Sequence, residues 1–290
     1  MSKHAATQAD VAGELAASHA GQTPEEVIKD EDCIACHAPT ATLANNGLTE
    51  AQALGYFFTT TNGKFTNSTA VAHPEEWPNV SCAACHDPSN PSARTVSYFG
   101  PITKKYISMS NSSVLCGECH GNLHFPGTDH LSYNIISGTG GVGVPNLQSM
   151  HGAKCIDCHM YTSDLSGSNS ALFHGHTFTI TVAEQNGKNS TSCTTCHADM
   201  DAAKANKIID DEKASYTALD AVSQKDVAAA TEAMKGVNST ALQAKLDEAR
   251  HNLGYAESDE SGGFHNNPYL MSLLKDADNR ALEVLSSLGK

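Results

Sequence analysis

Residues 33–37 read Cys33-Ile34-Ala35-Cys36-His37, and the same Cys-x-x-Cys-His pattern returns four more times. The other copies are Cys82-Cys85-His86, Cys116-Cys119-His120, Cys155-Cys158-His159 and Cys193-Cys196-His197, so the five together use all 10 cysteines. Two thiols three positions apart, followed at once by an imidazole, suit covalent attachment of a haem. The thiols form thioethers with the porphyrin vinyl groups, and the histidine becomes the proximal iron ligand. A lone Cys-x-x-Cys also fits a zinc knuckle or a redox dithiol. Zinc sites, however, pair two such units and need no histidine after each, and five units do not pair off. The pattern therefore predicts five covalently bound haem c groups, with His37, His86, His120, His159 and His197 as proximal ligands.

Composition bounds the rest. Aromatic residues make up 6% of the 290 residues, and Trp77 is the single tryptophan. That is poor material for a large conventional core, so porphyrin faces are expected to supply much of the apolar packing, and haem is expected to be required for folding. The formal charge of −14, before any haem propionate is counted, argues against nucleic acid and anionic membranes as partners. It favours a cationic redox partner or no fixed docking partner. No apolar run approaches the roughly 18 residues needed to span a bilayer. Haem is attached outside the cytoplasmic membrane, so the expected location is periplasmic or extracellular, with an export leader absent from this numbering.

The motifs begin at residues 33, 82, 116, 155 and 193, and no similarity is visible between the stretches outside them, so the chain is not an array of equal modules. Helical patterning covers 4–18, 49–58 after Thr49, 198–235 up to Gly236, 240–254 and 268–287. Connections rich in Gly, Asn, Ser and Pro, such as 88–92 and 137–145, read as loops. The expected fold is mainly α with long haem-binding loops, the chain wrapping a haem stack. Residues 1–197 would form the pentahaem region and 198–290 a helical region packed on the haems, within one structural domain.

Ten histidines remain after the proximal five: His4, His19, His73, His124, His130, His151, His174, His176, His251 and His265. Five of them, as distal ligands, would make every haem six-coordinate and suited to electron transfer. A haem lacking one would be open to a small molecule.

Several stretches carry a family resemblance: KHAATQADV (3–11), NVSCAACHDP (79–88), SSVLCGECH (112–120), MHGAKCIDCHM (150–160), HGHTF (174–178), NSTSCTTCHADMDAA (189–203) and GFHNNP (263–268). Through them the chain resembles the ammonia-forming pentahaem cytochrome c nitrite reductases, with gaps, from residue 4 to about 287. The resemblance implies His4 as distal ligand of the third haem and His176, with His174 as the near alternative, of the second. It further implies His265 for the fourth haem and His151 for the fifth.

The departures from that family concern its catalytic groups. Where those reductases carry Cys-x-x-Cys-Lys, this chain has His37. Their arginine shortly before the first motif has no counterpart, since the arginines here are Arg94, Arg250 and Arg280. Their Glu-Tyr-Tyr after the third motif, which supplies a calcium ligand and the catalytic tyrosine, is replaced by Asn122-Leu123-His124-Phe125. Their His-Pro-Glu lies between the third and fourth motifs, whereas His73-Pro74-Glu75 here precedes the second, and the Lys-x-Gln pair for calcium is absent. No catalytic residue and no calcium are therefore expected. His124, with His130 as second choice, falls where it could close the first haem's iron.

The leading functional expectation is an electron carrier with five closely packed, bis-histidine haems. It would serve other redox proteins or an extracellular electron acceptor. A second reading keeps one haem open as a reductase of nitrite, hydroxylamine or a similar oxyanion, with Lys64, Tyr106 or a spare histidine substituting for the lost groups. A third is a subunit of an extracellular conductive filament of like copies, in which His19 or His73 would serve a neighbour's haem.

Overall fold

The computed structural model describes residues 4, 7–30, 33–41, 48–89, 97–100, 105–109, 111–121, 131–148, 152–162, 175, 176, 178, 180, 182–185 and 188–290. The chain divides into two compact units, residues 1–119 with 155–181, and residues 120–154 with 182–290. The described elements are mainly helices, as the patterning predicts.

In the first unit, α1 (Thr7–Ala17) buries Val11 and Leu15, one helical turn apart on one face. α2 (Pro24–Asp30) starts with proline, whose fixed φ suits the first helical position. Thr23 and Glu26 cap it reciprocally: the Thr23 N–H donates to Glu26 Oε2 at 2.8 Å and the Glu26 N–H to Thr23 Oγ1 at 3.3 Å. α3 is the first motif itself, Cys33–His37. α4 (Glu50–Phe57) repeats the capping box with Thr49 and Gln52. These helices close on a core of Val11, Leu15, Val27, Ile34, Leu54, Phe57, Phe58, Phe65 and Trp77. Phe57 and Phe58 meet the Trp77 ring edge-on, with centroids 5.0 and 5.3 Å away.

Four short segments complete this unit: α5 (Cys82–Cys85), a hairpin of β1 (Ser97–Gly100) and β2 (Lys105–Ser108), α6 (Ser112–Gly117) and, after the second unit's insertion, α8 (Cys155–His159). β1 packs against α5, and the Tyr106 hydroxyl donates to the Ala83 carbonyl at 2.8 Å, tying the hairpin to the second motif.

The second unit holds α7 (Ser132–Ser137), a hairpin of β3 (Val182–Gln185) and β4 (Lys188–Thr191), and three long helices. The helices are α9 (Ala202–Ala233), α10 (Thr240–Glu257) and α11 (Asn267–Ser287). Their bounds follow from their caps. Asp201 accepts the Lys204 N–H at 2.8 Å, Ser239 accepts the Leu242 N–H at 3.4 Å, and Pro268 lies in the first turn of α11. Gly236, at φ 76°, takes the left-handed conformation that separates α9 from α10. α11 packs on both other helices, burying Leu270, Leu273, Leu274, Ala277, Ala281 and Val284 at helical spacing.

Two findings differ from the sequence expectation. Residues 202–287 build a core of protein on protein, whereas the low aromatic content points to porphyrin packing. Aliphatic residues and alanines, together with Tyr216, Tyr255 and Tyr269, carry that core instead. Two hairpins, β1–β2 and β3–β4, also form where the sequence reading places no strand. The second sets Gln185 opposite Lys188, and the sequence between them reads Asn-Gly, the strongest short hairpin signal a sequence offers.

Candidate functional site

Each motif forms one turn of helix. The first and fourth are α3 and α8 outright. The second is α5, with the His86 N–H donating to the Cys82 carbonyl at 2.8 Å. The third straddles the end of α6, whose Asn111 cap accepts the Val114 N–H at 2.9 Å, and the Cys119 N–H continues the turn to the Cys116 carbonyl at 3.2 Å. In the fifth, a 3-10 turn over Ser192–Thr195, the His197 N–H reaches the Cys193 carbonyl at 2.8 Å. On a helical turn, positions i and i+3 share a face. The two thiols of every motif are thus on one side, with the histidine following, and this donor set fits covalent haem.

Within the first unit, thiols of different motifs converge. Cys116 hydrogen-bonds Cys155, and Cys119 hydrogen-bonds Cys36. These contacts, then burial, then the charge effect of further thiols including Cys85, push the Cys116 and Cys119 thiols up. Burial raises Cys85 as well, with Cys82 contributing. The Cys155 N–H donates to Ser113 Oγ at 3.2 Å, joining α8 to α6. Attachment points from the first four motifs therefore lie close together.

His4, His37, His86, His159 and His176 of this unit gather together. The rings of His86 and His176 lie 6.3 Å apart, centroid to centroid, at 47°. Two imidazoles bound on opposite sides of a metal at ~2.0 Å would have ring centres roughly 6 Å apart. Gly175 makes this approach possible: its φ is 75°, and a Cβ there would lie 2.0 Å from the Met160 carbonyl oxygen, so only glycine lets the chain press onto the end of the fourth motif.

Three residues on, Phe178 holds φ 57°, unusual for an aromatic side chain. Its carbonyl lies 3.2 Å from His159 Nδ1, the contact that fixes which nitrogen of that ring faces away. Its ring packs edge-on against His4, with centroids 4.4 Å apart, and against His176 at 6.3 Å. Burial first, then His159 and His37 nearby, hold His4 below the usual imidazole range. Thr7, at the start of α1, donates its hydroxyl to the His37 carbonyl at 2.6 Å and accepts from Trp77 Nε1 at 3.2 Å. The aromatic core thereby fixes the end of the first motif.

In the second unit, the His120 carbonyl accepts the Tyr133 N–H at 2.7 Å. His197 borders an open depression of about 500 Å³, lined also by Ala198, Asp199, Met200, Lys204, Lys207, Ile208 and Asp211. Ile208 is exposed there, so the depression combines apolar surface with two lysines and two aspartates, Lys207 being paired with Asp211. His265 sits just before α11 with Nδ1 2.6 Å from Asp259 Oδ1.

His124, His130, His151 and His174 lie outside the described residues, as does the Asn122–Phe125 stretch. Of the other spare histidines, His19 is buried with Nδ1 2.7 Å from Gln22 Oε1, and His251 Nε2 lies 3.0 Å from the Gly140 carbonyl. His73 stacks on Tyr56 at 4.3 Å, and the Tyr56 hydroxyl donates to Glu76 at 2.6 Å. With Glu75 and Glu76, His73 forms an exposed trio whose ligand atoms lie within 4.8 Å of one another. No helix among the described residues is long and apolar enough to cross a membrane.

Comparison with known proteins agrees with this geometry. Residues 145–288 match the family model for cytochrome c552. No curated protein matches the chain. Among solved structures, the outer cell wall cytochrome OcwA is 22% identical with a TM-score of 0.56, over 92% of this chain and 49% of OcwA. Cytochrome c nitrite reductase from Desulfovibrio desulfuricans, described with two calcium sites in its catalytic subunit, is 16% identical with a TM-score of 0.53, over 88% of this chain and 65% of that one. The chain thus spans about half the length of OcwA, and at these identities the likeness is one of fold. Five helical Cys-x-x-Cys-His turns, a cytochrome c552 match over residues 145–288 and a fold shared with OcwA and the nitrite reductase make this chain similar to multihaem c-type cytochromes.

Proposed function

We propose that the protein is an electron carrier with five covalently bound haem c groups and no calcium, working in the periplasm or outside the cell. The ten motif cysteines are the attachment points, and His37, His86, His120, His159 and His197 the proximal ligands. His4, His124, His151, His176 and His265 are the distal set, which leaves no catalytic residue and no open iron. Bound haem supplies a one-electron iron couple. The chain's residues do the rest: the helical turns fix porphyrin orientation, and paired imidazoles block substrate.

The observation that carries this reading is the His86–His176 pair, whose 6.3 Å centroid separation is what an intervening iron requires. The convergence of Cys36, Cys85, Cys116, Cys119 and Cys155 adds support, because closely spaced attachment points favour transfer between haems. A charge of −14 favours cationic redox partners, with other copies of the chain or an extracellular acceptor as further candidates.

Electron paramagnetic resonance of the oxidised holoprotein tests the proposal. Five low-spin haems are expected. One high-spin haem whose signal changes with nitrite would replace the carrier by a reductase.

A further inference from the structure

The loop between α10 and α11 contains a carboxylate that the haem motifs do not explain. The Asp259 side chain is fully buried, at 0% exposure, and one oxygen lies 2.6 Å from His265 Nδ1. Ser261 Oγ hydrogen-bonds its other oxygen, and Ser132, at the start of α7, donates to the first at 3.4 Å. Ser261 is held in turn by the backbone N–H groups of Phe264 at 2.8 Å and His265 at 2.9 Å. Among the described residues no lysine or arginine is paired with Asp259. A buried carboxylate is costly unless hydrogen bonds satisfy it, and here the loop supplies them and directs one oxygen at an imidazole.

We infer that Asp259 is a positioning residue that sets the electronic character of His265 and lowers the midpoint potential of the haem His265 ligates. This rests on the reading of His265 as a distal ligand. An Nδ1–H donating to Asp259 fixes the tautomer, so Nε2 is the nitrogen directed to iron. The anionic acceptor makes the ring a stronger donor, which favours ferric over ferrous iron. Ser261 and Ser132 keep the carboxylate in place, so the effect is built into the fold rather than supplied by solvent. His159 provides the contrast: its Nδ1 faces a neutral carbonyl, that of Phe178, and draws no such charge.

The test compares Asp259→Asn and His265→Ala holoproteins by spectroelectrochemical titration and electron paramagnetic resonance. Asp259→Asn keeps the shape and a neutral acceptor, so all haems should stay low-spin while one midpoint rises. The reduced-to-oxidised ratio of that haem at fixed potential should grow roughly tenfold, ~59 mV for a one-electron couple. Its g-values should also move toward those of a neutral imidazole. His265→Ala should leave one haem high-spin. If His265→Ala stays wholly low-spin, the ligand reading is wrong and the inference falls with it. If His265→Ala turns one haem high-spin but Asp259→Asn shifts no midpoint, the inference alone is overturned and Asp259 is only a structural brace. Should Asp259→Asn not load haem, Ser261→Ala decides, since it keeps the charge but loosens its hold. A smaller upward shift is expected, and an unchanged midpoint overturns the inference.

Discussion

The imidazole rings of His86 and His176 lie with centroids 6.3 Å apart and planes tilted by 47°, although one belongs to the second motif and the other lies beyond the fourth. Gly175 and Phe178, both at positive φ, shape the short stretch that brings His176 there. Strained or left-handed backbone persists where its surroundings determine it, and here it carries a side chain to a place that sequence proximity would never supply.

Replacing His176 with alanine should therefore convert one haem from low to high spin while leaving the protein folded. The measurement is the high-spin charge-transfer band near the red end of the visible spectrum, read together with electron paramagnetic resonance. Restoration of the low-spin spectrum by added imidazole would identify the loss as that of a ligand. A variant that remains wholly low-spin removes His176 from the distal set.

Thr7 links the aromatic core to the first motif by accepting from Trp77 and donating to the His37 carbonyl. Thr7→Val preserves volume and removes both bonds. Leaving these groups unsatisfied should cost about 1–3 kcal/mol, read as a lower thermal midpoint of the holoprotein. The first haem's absorption should respond before the helical signal of α9–α11 does. Loss of both signals together at the wild-type temperature would contradict the proposed link.

Much of this arrangement was legible in the residues, and the limits have physical causes. The Cys-x-x-Cys-His turns announce themselves because their chemistry is local. Helical patterning places the long helices within four residues of their observed starts at Ala202, Thr240 and Asn267 for the same reason. The three-helix core was less visible, since leucine and alanine at helical spacing can pack on a porphyrin or on another helix equally well. Asn186-Gly187 is a local hairpin signal of the same kind as the motif turns. Asp259 could not be singled out, because an acidic residue in a Ser- and Gly-rich stretch gains significance only when folding buries it against His265. The convergence of Cys36 with Cys119 and of Cys116 with Cys155 likewise depends on long-range closure, which no spacing rule encodes.

Asn252 is a buried amide on α10 that holds a loop. Its Oδ1 accepts the Val142 N–H at 2.8 Å, and its Nδ2 donates to the Val142 carbonyl at 2.9 Å and to Asp276 at 2.6 Å. Asn252→Ala should destabilise the protein by about 1–2 kcal/mol, because it strands the half-buried Val142 N–H, while Asp276 and the Val142 carbonyl keep Arg280. The checks are thermal unfolding by circular dichroism and faster hydrogen exchange at Val142. Exchange at Val142 equal to wild type would mean that Arg280, whose Nη2 lies 3.4 Å from the same carbonyl, suffices to hold the loop.

The carboxyls of Asp226 on α9 and Asp278 on α11 share a hydrogen bond, and burial first, then that bond and the neighbouring charge, push Asp278 above the usual carboxylate range. A carboxyl raised on folding binds its proton more tightly in the native state. Its favourable contribution is therefore present below the unfolded value, about 3.9, and is lost as pH rises through the folded value. At neutral pH the pair opposes folding through like-charge repulsion across the helix interface. Asp278→Asn keeps the hydrogen bond and removes one charge, so its thermal midpoint should exceed that of wild type at pH 7. The difference should shrink toward zero as pH falls below the unfolded value, where the Asp278 carboxyl carries its proton. Melting curves of both proteins across that window decide the matter, and a gain independent of pH would show that the substitution acts through packing rather than charge.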